Sequence, residues 1–190
     1  MRTVRGVRKA ASGCSITSTS RQQVVGGRQQ VEYEMRVAVP DDADAVARLI
    51  NDAFVVERFF KRGDRTSAEN VRDLMRAGEF LVQDREDGSP AACVFVKHKG
   101  SCGYFGMLSV APDMQGRGLA RRFIAEVEER LRDAGCDALD IYVVNFRTEL
   151  PPFYRKLGYT ESGTRPFVDP AEATQPCHII VMTKALVKGA

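Results

Sequence analysis

The stretch Ser109-Val110-Ala111-Pro112-Asp113-Met114-Gln115-Gly116-Arg117-Gly118-Leu119-Ala120 carries more chemical information than any other in the chain. It reads as the end of a strand, a turn with two glycines, and the start of a long helix. The first N–H groups of a helix lack partners within it and lie at the positive end of its dipole. Without Cβ atoms at Gly116 and Gly118, a diphosphate could come close to those N–H groups, and small Ala120 keeps the same face open. A turn that only feeds a helix would look the same, because two glycines in G-x-G spacing are a weak signal. Two other phosphate loops are excluded. A P-loop requires G-K-[ST], where this chain has Leu119-Ala120, and a dinucleotide fingerprint requires an early βαβ unit with a small residue where Arg121 stands.

The elements that must position this turn follow from periodicity. A strand is expected over 33–39, stopped by Pro40, and then a helix begun by Asp41, Asp42 and Asp44 with Val46, Leu49, Ile50 and Ala53 as its apolar stripe. An aromatic segment at 54–60 comes next. Thr66-Ser67-Ala68-Glu69 reads as a capping box for a second helix ended by Gly78. Strands at 80–84, 91–99 and 104–110 are joined by short turn-like links, which predicts an antiparallel meander. The helix after the glycine turn is expected over 116–134, with Leu119, Phe123, Val127 and Leu131 inward. Arg121, Arg122, Glu128, Glu129 and Arg132 are expected on its wet side. A buried strand at 138–144, a helix around 153–157 and strands at 159–167 and 178–184 complete the chain.

Composition narrows the class. In 190 residues, 44% are hydrophobic and 28% charged, ordinary values for a globular protein, and no apolar run reaches the ~20 residues that span a bilayer. Five scattered cysteines without a C-x-x-C pair argue against a disulfide framework or a zinc site and fit a reducing cytoplasm. The net charge of +3 comes from the first 34 residues, which hold six Arg or Lys against Glu32 and Glu34. The remainder is close to neutral, so nothing in the folded part calls for nucleic acid, and nothing calls for a membrane. Residues 1–32 lack apolar periodicity and read as a disordered extension to a domain at 33–190. An organellar targeting peptide, a true start at Met35, a merely solvated tail and a polyanion-binding arm all remain open for that extension.

Gln115-Gly116-Arg117-Gly118-Leu119-Ala120 resembles the Q/R-x-x-G-x-G/A pyrophosphate motif of GNAT acetyltransferases, and the order of elements over about 33–186 is similar to theirs. The resemblance implies an α/β fold, with a mixed, mostly antiparallel seven-stranded sheet, strands 4 and 5 splayed, and about four helices. It implies an N-acetyltransferase that moves acetyl from acetyl-CoA, the co-substrate, to an amine without a metal. A non-catalytic acyl-CoA sensor is the alternative, and a homodimer is in keeping with the family. By the same resemblance Leu108, Ser109 and Val110 line the pantetheine arm. Gln115, Gly116, Arg117, Gly118, Leu119, Ala120 and Arg121 hold the pyrophosphate, and Asn145 bonds the arm from the end of the fifth strand. Tyr154 matches the tyrosine of the family's Y-x-x-x-G-[FY] ending, completed here by Gly158-Tyr159. Its phenol, near pKa ~10, would protonate or bond the departing thiolate, whose own pKa is ~8.5. The gap from Asn145 to Tyr154 is longer than the family's usual spacing, so the loop between them is expected to bulge.

For a base, Asp140 matches a glutamate of the ribosomal-protein alanine acetyltransferases, although a carboxylate at a strand entrance needs no such role. Glu57, Glu79, His98 and His178 are weaker candidates. The acceptor side is expected from residues 54–60 and from Phe167 and His178. There Glu57 and Glu149 would either attract a cationic amine or merely be solvated.

Overall fold

The computed structural model describes residues 22–25, 28–31, 34–167 and 172–186. The chain divides into two units, Met1–Glu34 and Met35–Ala190. In the first, strands Gln22–Val25 and Arg28–Val31 pair antiparallel. No strand is expected there from periodicity, although Val24-Val25 ahead of a Gly-Gly pair is a hairpin signal. The rest of the extension expected over 1–32 lies outside the described residues.

The second unit holds β1 (Arg36–Val37), α1 (Ala43–Ala53), α2 (Ala68–Ala77), β2 (Glu79–Asp84), β3 (Pro90–Lys99) and β4 (Cys102–Val110). It continues with α3 (Leu119–Asp133), β5 (Ala138–Val144), α4 (Leu150–Arg155), β6 (Thr160–Pro166) and β7 (His178–Ala185). One sheet in the order β1-β2-β3-β4-β5-β7-β6 joins all seven strands, antiparallel except for β4 beside β5. This is the mixed α/β layering expected.

Strands β2 and β3 are apolar on both faces because helices cover both. Val46, Leu49 and Ile50 of α1 and Val71 of α2 pack on Phe80, Val82, Cys93 and Phe95. Phe123, Val127 and Leu131 of α3 pack on the alternate residues Leu81, Ala92, Val94 and Val96. At ~1.5–3 kcal/mol for each large side chain buried, these two cores are the main drive to fold.

Several boundaries differ from expectation for identifiable reasons. The first strand shrinks to two residues because the Asp42 carboxylate takes the Val39 N–H at 2.7 Å and Arg36 at 2.7 Å, turning the chain toward α1. Helix α2 is capped by Ser67, whose Oγ accepts from Asn70 N at 3.1 Å, one residue beyond the expected cap. Helix α3 starts at Leu119 rather than 116, since Gly116 and Gly118 take φ of +75° and +80°. Helix α4 starts at Leu150, three residues early, because prolines are tolerated in a first turn, where N–H groups have no helical partner.

Glu128 does not lie on the wet side of α3. It is buried, accepting from Tyr159 Oη at 2.9 Å and from Lys184 Nζ at 2.6 Å. Burial and the adjacent Glu128 carboxylate raise the Tyr159 phenol well above its ordinary value. This network pins α3 to the end of α4 and to β7. Glu128→Ala leaves a buried hydroxyl and a partly exposed ammonium without their partner, and it should lower stability by about 1–2 kcal/mol. The check is the urea unfolding midpoint, with the m-value unchanged.

Candidate active site

Strands β4 and β5 pair only where Cys102, Gly103 and Tyr104 meet Ala138, Leu139 and Asp140. Beyond Tyr104 they part, and β5 stays paired to β7 through Val144. A cavity of about 1210 Å³ occupies the resulting wedge. It is large enough to take most of a cofactor-sized molecule.

The β4 wall is irregular. The register against β3 passes from Cys93 opposite Ser109 to Phe95 opposite Gly106, so β4 carries an extra residue. Met107 takes a φ of +50°, which is strained for a residue with a Cβ. The bulge brings Met107 and Leu108 both to the cavity. Beside it, Tyr104 lies along the strand with its hydroxyl over Gly106, where a Cβ would stand only 2.3 Å from that oxygen. The Tyr104 ring meets Tyr142 of β5 at 4.8 Å where the wedge begins to open.

The glycine turn opens onto the same cavity. Gly116, Gly118, Leu119, Ala120 and Arg121 border it, as do Gln115, Leu108 and Val110. No side chain caps α3, no acid occupies its first turn, and nothing lies within 4 Å of where a Cβ on either glycine would point. The helix therefore presents unpartnered N–H groups and its positive dipole end to open space. Gln115 Nε2 donates to Val110 O at 3.1 Å, fixing the turn to the end of β4. The Arg121 guanidinium lies 5.7 Å above the Phe153 ring, bridging to α4.

Tyr154 reaches the cavity from α4, buried among Phe105, Phe153 and Tyr159. The expected loop bulge is resolved by two tight turns, Arg147 N to Val144 O at 2.9 Å and Leu150 N to Arg147 O at 3.0 Å. Burial pushes the phenol up to about 12, opposed by nearby Arg147 and reinforced by Tyr104. It is a neutral hydrogen-bond donor throughout the physiological range.

Four expected site residues stand apart from the cavity. Ser109 points to the opposite face, its Oγ on Met107 O at 3.1 Å. Arg117 donates to Asp113 O at 3.2 Å. Asn145 accepts from His178 N at 2.9 Å, tying β5 to β7. Asp140 sits at the closed end of the wedge, accepting from Thr183 Oγ1 at 2.6 Å, with Cys102 Sγ at 3.7 Å. The structure does not bring it to Tyr154.

At the end where an acceptor is expected, Phe54, Glu57 and Phe167 border the cavity, whereas Phe59 and His178 are exposed and Phe60 is packed against Phe146 and Phe167. Residues not singled out from the sequence also line the cavity, among them Tyr104, Arg65, Lys61 and Arg147. Only Tyr104, an aromatic on a strand beside a glycine two residues on, left any sequence signal. The arginines and the lysine look like ordinary surface charges. Cys93 is sealed in the core with its thiol pushed up to about 12 by burial, a poor nucleophile.

Together these features define a class: a splayed-sheet α/β domain with an uncapped, acid-free helix start at one end of a cavity and a buried phenol along it. Residues 43–159 match the model of the Acetyltransferase (GNAT) family, more than half of the chain, and the protein belongs to that family. An acetyltransferase of Yersinia enterocolitica is 37% identical over 67 residues, 35% of this chain and 45% of that protein, so the match spans less than half of the relative. The fold is shared with the ribosomal-protein-alanine N-acetyltransferase from Brucella melitensis (TM-score 0.64, 22% identity, 80% of this chain and 99% of that one). It is also shared with nourseothricin acetyltransferase (TM-score 0.63, 21% identity, 82% and 99%).

Gly118→Ala should cost about 1–2 kcal/mol from backbone strain alone, since the space is open but φ is left-handed; chemical denaturation would read it. From its position, Asp140→Asn should leave kcat within about threefold of wild type. A steady-state acetyl-transfer assay with any accepted substrate measures this.

Proposed function

We propose that the protein transfers an acetyl group from acetyl-CoA to an amine, by direct attack while both substrates are bound. One observation carries the reading: an uncapped, acid-free helix start opens onto a cavity that also holds the buried Tyr154 phenol. The residues fit coenzyme A. Gly116, Gly118 and the first turn of α3 would take its diphosphate, and Arg121 would add positive charge. The edges of β4 and β5 left unpaired by the splay would take the amides of its pantetheine arm, as an added strand would.

Acetyl-CoA supplies an acyl thioester, and the chain's own groups handle protons and position. An acceptor arriving as an ammonium first gives up one proton to solvent. Its nitrogen then attacks the thioester carbon and the C–S bond breaks. Tyr154 Oη donates its proton to sulfur, and the second proton lost from nitrogen restores the phenol. The sealed Cys93 favours this route over an acyl-enzyme. The Brucella and nourseothricin enzymes, by their names, acetylate an alanine of a ribosomal protein and nourseothricin, so more than one kind of acceptor occurs on this fold.

Tyr154→Phe should lower kcat by about 10²-fold or more while CoA affinity stays within about twofold. Stopped assays and calorimetry read the two quantities separately. Retained CoA binding without turnover of any amine in the wild type would instead favour a sensor. The phenol's pKa is raised, so its proton is held above pH 10, and wild-type kcat should not fall between pH 8.5 and 10. A basic limb at or below pH 10 that vanishes in the Phe variant would remove Tyr154 from the donor role.

A further inference from the structure

We propose that the acceptor is a zwitterion, an amine that also carries an oxyanion as a free amino acid does, held between Glu57 and Arg65. This rests on the transferase reading above and adds the acceptor's chemical class.

The segment between α1 and α2 is folded back on itself. Asn51 closes its mouth, donating to Thr66 O and accepting from Thr66 N, both at 3.0 Å. This returns the chain so that the Arg65 guanidinium lies 5.2 Å above the Phe54 ring, at the foot of the turn bearing Glu57. Inside the loop, Lys61 Nζ donates to the carbonyls of Arg62 at 3.2 Å and Asp64 at 2.9 Å, and pairs with Glu172 at 2.5 Å. Glu57 and Arg65 therefore border both a small cleft within the loop and the main cavity.

Most charges at this end are matched. Arg147 is taken by Glu57 Oε1 at 3.0 Å and by Glu149 at 2.6 Å, Lys61 by Glu172, and Asp64 by Arg58 at 3.2 Å. Two atoms are not. Glu57 is 5% exposed, yet its Oε2 is buried without a hydrogen-bond partner among the described residues, and so is Arg65 Nε. A buried polar atom left unpaired costs about 1–3 kcal/mol, so native proteins rarely keep one without a use.

The two open valences are opposite in kind. A carboxylate oxygen only accepts and a guanidinium N–H only donates. A molecule that completes both must bring an N–H donor and an oxygen acceptor. An ammonium answers Glu57. Guanidinium groups pair best with carboxylates and phosphates, so an oxyanion answers Arg65. A simple amine fills only half of the site, and a peptide N-terminus carries an amide where the oxyanion belongs.

The clamp also adjoins the reacting end. Glu57, Arg65 and Arg147 border the same cavity as Tyr154, and Arg147 is bonded to Glu57.

The test measures CoA thiol release by the full-length protein with free amino acids, their amides and methyl esters, and short peptides. At least one free amino acid should exceed its own amide in kcat/KM by tenfold or more. Arg65→Gln should raise KM for that amino acid by a similar factor and leave its amide within about threefold, while Glu57→Gln weakens both. Arg65→Lys guards against a folding defect, and should keep part of the preference. Calorimetry with acetyl-CoA should read the same affinity in every variant. Acids and amides acetylated alike, or no free amino acid acetylated, would overturn the proposal. So would an Arg65→Gln variant that shifts the unfolding midpoint but leaves the preference intact, the mark of a structural water linking the two side chains. Absence of acetyl-CoA binding by the wild type would instead bring down the transferase reading beneath it.

Discussion

Three residue pairs join β4 to β5, and then the strands separate. The rest of the site depends on that separation. A continuous sheet would pair every peptide group and leave no room at its centre, whereas the wedge leaves two strand edges facing each other across a cavity. The divergence is sustained on both sides. The extra residue at Met107 bends β4 away, and β5 is held in place by seven register pairs to β7. Strain at Met107 is tolerable because β4 is locked to β3 on either side of the bulge.

The wedge also sorts charge. At one end lies the start of α3, free of acids and flanked by Arg117 and Arg121, where a polyanion is favoured. At the other end the α1–α2 segment gathers Glu57, Lys61, Arg65 and Arg147, most of them matched in pairs. Between the two poles lie Tyr104 and Tyr154, whose hydroxyls burial keeps protonated. Such a layout suits a long ligand, anionic at one end, whose reacting atom meets a second molecule near the middle. The Glu128–Tyr159–Lys184 network holds the frame from behind, binding α3 to β7 so that the mouth of the helix keeps its place.

Much of this was legible in the residues. The inward stripes of α1 and α3, the three-strand meander and the glycine turn were all visible as periodicity or turn chemistry, and all formed. Tyr154 came from the family ending rather than from periodicity, and it does reach the cavity. Boundaries moved where a side chain competed with the backbone, as Asp42 did for the first strand, or where a left-handed glycine stopped a helix from starting. Glu128 was read as solvated because a carboxylate on a helix usually is. Only the return of β7 and Tyr159 to the same spot makes it a buried anchor.

The sequence by itself determined the layered fold, the place of the glycine turn and the family, because those rest on contacts between residues close in the chain or on repeating patterns. Tertiary structure alone decided which polar groups share the cavity. Asp140 and Asn145, adjacent to the right strand in sequence, are taken up by Thr183 and by the backbone of His178. Arg147 and Glu57, 90 residues apart, are brought into contact. Partners of that kind are set by how strands far apart in the chain are ordered in the sheet, and no local spacing encodes that order.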